Sequence, residues 1–67
     1  MTTGQAIKKA RKAKGYTQLD IARKLGVHQI TVSLWETDRN SPCLIFLISL
    51  ADVLGISLDE LVGRSNR

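Results

Sequence analysis

The stretch Thr17–Glu36, TQLDIARKLGVHQITVSLWE, decides the fold of this 67-residue chain. It contains two short helical patterns of apolar residues, and Gly26 separates them by a turn so short that the two helices must pack closely. The small residue Ala22 stands where the helices approach each other most closely. The pattern predicts a helix-turn-helix motif, whose inner faces carry Ile21, Leu25, Val27, Val32 and Trp35.

The second helix of this motif presents an outward face of mixed polar and apolar character. A helix of this kind fits the major groove of DNA, where side chains hydrogen-bond to base edges or contact thymine methyl groups. The sequence therefore predicts base contacts from Gln29, Ile30, Ser33 and Leu34.

A first helix is predicted to open after Thr3 and to run to Lys14, with Gly15 closing it in a left-handed conformation. Its expected inner face is thin and consists of Ala6, Ile7, Ala10 and Ala13.

The helix-turn-helix itself has one strong start signal and one weak one. Thr17 is a good N-cap, and Asp20 three residues later can return a hydrogen bond to the backbone of Thr17. Gly26 is expected to end this helix. His28 stands where the next cap is needed, and because imidazole is a poor cap, the start of the third helix is less firmly specified.

Two further helices are predicted after the polar loop Thr37–Asn40. Ser41-Pro42 indicates a helix start, since Ser caps and Pro is tolerated at the first helical position. This fourth helix should run to Leu54 and close at Gly55. Ser57–Glu60 is a capping box that opens a short last helix, whose apolar residues are Leu58, Leu61 and Val62.

The chain is thus predicted to be all-α, with five helices in a single domain spanning residues 1–67. Residues 63–67 are expected to form a frayed polar tail. A domain of this size has a core that provides roughly 3–5 kcal/mol of net stability. It offers no cleft between domains, and its acidic residues do not cluster, so the sequence does not indicate an enzyme.

Charge is distributed unevenly along the chain. The net charge is +4, but residues 1–25 hold seven Lys or Arg against one acidic residue, which gives that part +6. Such a distribution favours an anionic partner, although a solvated lysine-rich helix gives the same count.

The cysteine and histidine content and the hydropathy indicate which disulfides, metal sites and membrane spans the chain can form. The single Cys43 cannot form an intrachain disulfide, and one histidine in the chain leaves no metal-ligand set, so neither a metal nor another cofactor is expected. The longest apolar run, Cys43–Ile48, is far shorter than the roughly 18 residues of a transmembrane helix. A cytoplasmic protein without a membrane partner or a small-molecule substrate is expected.

With these residues laid out, the chain resembles the Cro/CI-type (XRE-like) helix-turn-helix family of phage and bacterial regulators. The resemblance is carried by IKKARKAKGYTQ, by the Ala22, Gly26-Val27, Val32 and Trp35-Glu36 framework, by Pro42 after the loop that follows the third helix, and by LADVLGISLDEL at the end. It implies a five-helix lambda-repressor-like domain that binds a double-stranded DNA operator, commonly as a homodimer, and regulates transcription as a repressor.

The resemblance also implies roles for individual residues. Gln29 matches a glutamine that reads a base, and Arg11 and Glu36 match a pair that forms an inner salt bridge. Gln18 matches a glutamine that meets a phosphate, which suits the exposed amides of a helix N-terminus. The full set of expected phosphate contacts is Thr17, Gln18, His28, Thr31, Arg39 and Asn40.

Three residues depart from the family pattern. Asp38 stands where the family usually has Gly, so it must adopt a left-handed conformation. Ile30 and Leu34 are apolar at positions that are more often polar. Contact with thymine methyl groups is one interpretation, and packing against the core or loop is the other. We favour DNA contact for Ile30 and leave both interpretations open for Leu34.

The fourth helix carries two apolar stripes, more than a monomer of this size is expected to bury. One stripe is assigned to the core: Leu44, Leu47, Ile48, Ala51 and Leu54. The other is predicted to form a dimer interface together with the last helix: Phe46, Leu50, Val53, Leu58 and Leu61. The alternative is a wide core face with Phe46 folded under the last helix. A rival function is a protein-interaction module, such as an antitoxin, that uses this stripe to bind another protein.

Overall fold

The structure is a computed structural model that describes residues 1–62. Within these residues it contains five helices and no strand, which confirms the all-α prediction. The expected tail at residues 63–67 lies outside the described residues. The helices are α1 (Thr3–Ala13), α2 (Gln18–Leu25), α3 (Gln29–Glu36), α4 (Leu44–Leu54) and α5 (Leu58–Val62).

Most helix boundaries follow the predicted capping signals. Thr17 Oγ1 accepts from the amide of Asp20 at 3.0 Å, and the Asp20 carboxylate accepts from the amide of Thr17 at 2.9 Å. The amide of Glu60 likewise donates to Ser57 Oγ at 3.1 Å. Gly26 closes α2 in the left-handed region with a φ of 72°. These caps confirm the starts of α2 and α5 and the end of α2.

Three predicted boundaries need correction. Helix α1 begins one residue earlier, because Thr2 is its cap, and Lys14 is the C-cap rather than the last helical residue. The Ser41-Pro42 start is wrong: α4 begins at Leu44, after Cys43. Pro42 is buried, so its ring packs in the loop instead of opening the helix.

The core lies where α1, α2 and α3 meet the inner side of α4 and α5. Trp35 is 3% exposed, and its ring centroid lies 5.5 Å from that of Phe46 in a tilted arrangement. Aromatic pairs in this geometry add to the stability gained from buried area. The other large buried side chains are Ile7, Ile21, Val32, Leu50, Leu54 and Leu61. Ala13, assigned to the inner face of α1, is exposed.

Helix α4 is rotated by roughly a quarter turn from the predicted orientation. Leu44 and Ile48, assigned to the core, are 64% and 49% exposed, whereas Leu50, assigned to the dimer interface, is fully buried. Phe46 and Val53 are half-buried and pack against the core. Phe46, Leu50 and Val53 therefore belong to the core, as the wide-core alternative predicts, but the ring that Phe46 packs against is that of Trp35 in α3.

Helix α5 also corrects the predicted interface. Leu61 is fully buried, and a side chain without exposed surface in the monomer cannot contact a second copy. Leu58 is 38% exposed. A dimer interface built from the predicted set is therefore wrong at Leu50 and Leu61.

The loop between α3 and α4 is fastened to the start of α1 by Asp38. As predicted, Asp38 adopts a left-handed conformation, with a φ of 60°. Its carboxylate accepts hydrogen bonds from Thr2 Oγ1 at 2.6 Å and from the amide of Gly4 at 3.0 Å. The first turn of α1 has no acidic residue of its own. Asp38 therefore supplies the negative charge that a helix N-terminus favours, a role that the sequence did not reveal.

Gly4→Ala tests how closely the start of α1 packs against the end of α3 and the loop that follows it. A Cβ at Gly4 would lie 2.5 Å from the carbonyl oxygen of Trp35 and 2.8 Å from Asp38 Oδ1. Alanine in a helix interior is favoured over glycine by about 1 kcal/mol, but the overlap should outweigh this and destabilise the fold by about 1–3 kcal/mol. Thermal denaturation followed by circular dichroism measures the sign, and a stabilised variant would contradict the close packing.

Candidate nucleic-acid interface

The turn between α2 and α3 fixes how the outward face of α3 is presented. Gly26 reverses the chain in its left-handed conformation, and the amide of Val27 donates to the carbonyl of Ala22 at 3.0 Å. Helix α3 follows His28, which makes no side-chain capping bond, as its poor capping ability predicts. Because Val32 and Trp35 face the core, the opposite side of α3 is turned outward.

The predicted base-contact residues fall into two groups on α3. Gln29 and Ile30, in its first turn, are exposed, Ile30 to 64%. Ser33 and Leu34 are half-buried. The carbonyl of Leu34 accepts from the amides of Arg39 and Asn40 at 3.0 and 3.3 Å. The first turn of α3 is thus the more accessible half of the predicted reading face.

A buried ion pair connects the end of α3 to α1, at the position that the resemblance implies. Arg11 Nε lies 2.6 Å from Glu36 Oε2, and Arg11 Nη2 donates to Glu36 Oε1 at 3.1 Å. The guanidinium also donates through Nη1 to the carbonyl of Tyr16 at 2.9 Å. The planar guanidinium matches the carboxylate in a two-bond fork, so this contact defines both position and orientation.

Gln18 joins the same network. Its side-chain Nε2 donates to Glu36 Oε1 at 3.0 Å, a contact that sequence reasoning missed. The contact connects the first residue of α2 to the last residue of α3. The amides at the start of a helix have no intrahelical partner and attract an anion. The geometry therefore holds the predicted phosphate-binding end of α2 in a fixed place relative to α3.

The other predicted phosphate contacts occupy the ends of the same two helices and the following loop. The side chain of Thr17 caps α2, His28 precedes α3, and Thr31 is half-buried in its first turn. Arg39 and Asn40 are exposed in the loop, where their amides are held by the Leu34 carbonyl. The set thus lies on the helix starts and the loop adjoining α3.

Asp20 places one negative charge at the start of α2. The hydrogen bonds from the backbone and hydroxyl of Thr17, together with Lys24 and Arg23, lower the pKa of this carboxyl from its ordinary value of 3.8. Lys24 is itself positioned over the ring of Tyr16, 5.0 Å from its centroid. Asp20 is therefore an ionised part of the cap in the folded protein at neutral pH.

Within residues 1–62 no three His, Cys, Asp or Glu side chains come together in a way that could hold a metal ion. In the same part of the chain, no helix has both the length and the apolar character needed to cross a membrane.

Glu36→Ala should strand the buried guanidinium of Arg11 and lower the free energy of unfolding by about 3–5 kcal/mol. The double change Arg11→Met with Glu36→Leu, which leaves no unpaired charge, should cost less than Glu36→Ala alone. Urea denaturation measures both, with Asp59→Ala as the control for losing an exposed acid. Equal effects of Glu36→Ala and Asp59→Ala would contradict the structural role of the pair.

Asp20→Asn should make the domain less sensitive to acid. Because the pKa of Asp20 is lowered by folding, its ionised form stabilises the fold above the ordinary pKa, and this contribution is lost as pH falls through the folded value. Below pH 4 the wild type should lose stability more steeply than Asp20→Asn. Denaturation at a series of pH values tests this against Asp59→Asn, and parallel curves for the wild type and Asp20→Asn would contradict it.

Comparison with known proteins agrees with this geometry. The family described as Helix-turn-helix matches residues 7–61. The HTH-type transcriptional regulator ImmR of Bacillus subtilis (strain 168) is 34% identical over 64 residues, which cover 96% of this chain and 50% of ImmR. The immunity repressor protein of Bacillus phage phi105 is 38% identical over 64 residues, covering 96% of this chain and 44% of that protein. The chain thus spans about half the length of these relatives.

Solved structures of similar fold include two regulators. The P22 c2 repressor protein, solved in complex with synthetic operator 9T, superposes with a TM-score of 0.89 at 26% identity and covers 96% of this chain and 97% of that one. SinR, solved as a complex with SinI, gives a TM-score of 0.85 at 34% identity, with 96% of this chain and 63% of that chain covered. The members of this family are transcriptional regulators rather than enzymes. Because the family match covers residues 7–61, this chain belongs to the Cro/CI-type helix-turn-helix family.

Proposed function

We propose that this protein is a transcriptional repressor that binds an operator in double-stranded DNA by inserting α3 into the major groove. The observation that carries the proposal is the exposed first turn of α3, Gln29 and Ile30, on a helix anchored at its other end by the buried Arg11–Glu36 pair. Direct readout needs a few side chains held in one orientation. A rigid helix with a free first turn meets that requirement.

Each residue of the reading face has a contact suited to its chemistry. The amide of Gln29 donates to and accepts from the major-groove edge of adenine. Ile30 contacts a thymine methyl group, since its exposed side chain offers no hydrogen bond. Ser33 and Leu34 are less exposed and contact the bases nearest to the surface of α3.

Backbone contacts come from the helix starts and the loop. Gln18 and Thr17 meet a phosphate at the N-terminus of α2, and His28 and Thr31 meet another at the start of α3. Arg39 and Asn40 contact the backbone beside the groove. The +6 charge of residues 1–25 adds long-range attraction to DNA.

The proposal includes assembly and location. The protein binds a two-fold related operator as a homodimer, which doubles the number of bases read. The homodimer acts in the cytoplasm, where operator DNA is accessible. The repressor relatives and the P22 c2 complex with its operator support operator binding by similarity.

A second candidate function is the binding of a different protein. One observation favours it: α4 exposes large apolar side chains. SinR, a regulator of similar fold, has been solved as a complex with SinI. Purification of the native protein from its host distinguishes the functions, because a stoichiometric second polypeptide indicates a protein partner and a self-associated protein indicates the first proposal.

The operator is identified by selecting bound sequences from a random duplex pool with the purified protein. On the selected duplex, Gln29→Ala should weaken binding by about 1–3 kcal/mol and leave the affinity for random DNA unchanged, because a base contact carries discrimination. Arg39→Ala is the matched comparison: it should weaken both affinities and reduce the salt dependence of binding. Equal losses on both duplexes for Gln29→Ala would contradict its role as a base-reading residue.

A further inference from the structure

The loop between α3 and α4 carries a negative and a positive side chain in succession. Asp38 and Arg39 are both exposed, and the proposed function assigns Arg39 to the DNA backbone. A carboxylate that faced this guanidinium would neutralise part of its charge and would itself repel phosphate. Within residues 1–62 no ion pair joins the two side chains. The negative charge of Asp38 is therefore balanced somewhere other than at Arg39.

The start of α1 balances the charge of Asp38. One carboxylate oxygen accepts from Thr2 Oγ1 at 2.6 Å and the other from the amide of Gly4 at 3.0 Å. The amides in the first turn of a helix lack intrahelical partners and favour a negative charge, and the first turn of α1 has no acidic residue of its own. Because Asp38 is bound to α1, Arg39 keeps its attraction for a phosphate.

The backbone of this loop is bound to α3. The amides of residues 37–40 all donate to carbonyls in the last turn of α3, at 3.0–3.3 Å. A phosphate beside the loop therefore meets side chains and not unoccupied amides. In the part of the chain that the structure describes, the two bonds of Asp38 are the hydrogen bonds that connect the loop to a helix other than α3. These two bonds therefore constrain the path of the loop, and with it the position of the Arg39 side chain.

We propose that Asp38 is a positioning residue for DNA binding: its contact with the start of α1 holds the loop so that the guanidinium of Arg39 meets a DNA phosphate. This inference deepens the proposed function and rests on it, since the phosphate contact of Arg39 belongs to that function. Removal of an acidic residue ordinarily strengthens the binding of a protein to DNA, because phosphate is negative. Removal of Asp38 is expected to weaken it.

Glycine isolates the contribution of the Asp38 side chain. Within residues 1–62, Asp38 is the only residue other than glycine with a positive φ, a conformation that glycine adopts without strain. Asp38→Gly therefore removes the two hydrogen bonds and leaves the backbone of the loop able to keep its conformation. Asparagine also tolerates this conformation and keeps an oxygen that accepts from the amide of Gly4. Asp38→Asn thus removes the charge and retains a contact with α1.

Binding of the full chain to the selected duplex and to a random duplex, measured from about 50 to 200 mM salt, tests the proposal. Arg39→Ala should weaken both affinities about tenfold, as expected for one hydrogen bond to a charged group, and should reduce the salt slope by about 0.9. Asp38→Gly should weaken both affinities by roughly three- to tenfold and also reduce the salt slope. Asp38→Asn should bind at least as tightly as the wild type, and so should Asp59→Asn, the control for losing an exposed acid of α5.

A double-mutant cycle assigns the effect to Arg39. If Asp38 acts by positioning Arg39, Asp38→Gly weakens binding no further in the Arg39→Ala background. Amide exchange of the free protein gives an independent readout. Loss of the contact with α1 should speed the exchange of the Arg39 and Asn40 amides and leave that of Val27 unchanged, since the Val27 amide is bound to the carbonyl of Ala22.

The proposal is overturned if Asp38→Gly binds DNA as tightly as Asp59→Asn, if Asp38→Asn loses as much affinity as Asp38→Gly, or if Asp38→Gly weakens binding equally with and without Arg39. Unchanged exchange of the Arg39 and Asn40 amides in Asp38→Gly would also overturn it. Each of these results leaves the binding of the wild type to its selected duplex intact. Failure of the proposed function gives a different result: the wild type binds neither duplex, although the loop amides still exchange faster in Asp38→Gly.

Discussion

The buried contact between Arg11 and Glu36 is the constraint on which the rest of the structure depends. It lies where α1, the start of α2 and the end of α3 meet, and the guanidinium also holds the Tyr16 carbonyl. Removing two charges from water costs several kcal/mol, so such a pair contributes little net stability compared with an apolar pair. Its value here is geometric. The fork of two hydrogen bonds constrains the orientation of α3 relative to α1.

The loop after α3 combines an unfavourable backbone conformation with favourable hydrogen bonds. A left-handed conformation costs an Asp residue more than Gly, yet Asp38 gains two hydrogen bonds that glycine could not make. The cost of backbone strain is thus offset by capping α1. As a result both ends of α1 are connected to α3 or its following loop, through Asp38 at the beginning and Arg11 near the end. The reading helix is fixed by contacts with α1 on each side of its own C-terminus.

The sequence predicted this fold well wherever the decisive interaction is local. The caps at Thr17 and Ser57 and the left-handed glycines involve residues within a few positions of each other, so their chemistry is readable from the chain. The start of α4 was mispredicted because Pro42 is buried by tertiary packing. The hydrogen bond from Gln18 to Glu36 spans 18 positions, and no local rule indicates it. The DNA and phosphate contacts remain predictions.

The orientation of α4 is indicated in the sequence by a single charged residue, Asp52. Because α4 is apolar on nearly every side, periodicity alone does not identify its inner face. Asp52 does, since a lone carboxylate is expected to face water. Counting back from Asp52 by four, seven and eight positions gives Ile48, Ile45 and Leu44, the residues that the structure exposes. A single charged residue therefore determines the orientation better than the count of apolar positions.

This orientation separates the side chains of α4 that stabilise the monomer from those that remain exposed. The core takes Leu50 and Leu54 from α4 and leaves Ile45 mostly in solvent, so the core of the monomer does not depend on the outward side chains of α4. A recognition helix with two accessible side chains discriminates weakly by itself, because each wrong base pair costs about 1–3 kcal/mol. In the proposed homodimer, two copies add their discrimination only when both half-sites match. Specificity in the proposed homodimer therefore depends on both half-sites being read, and not on α3 of one copy alone.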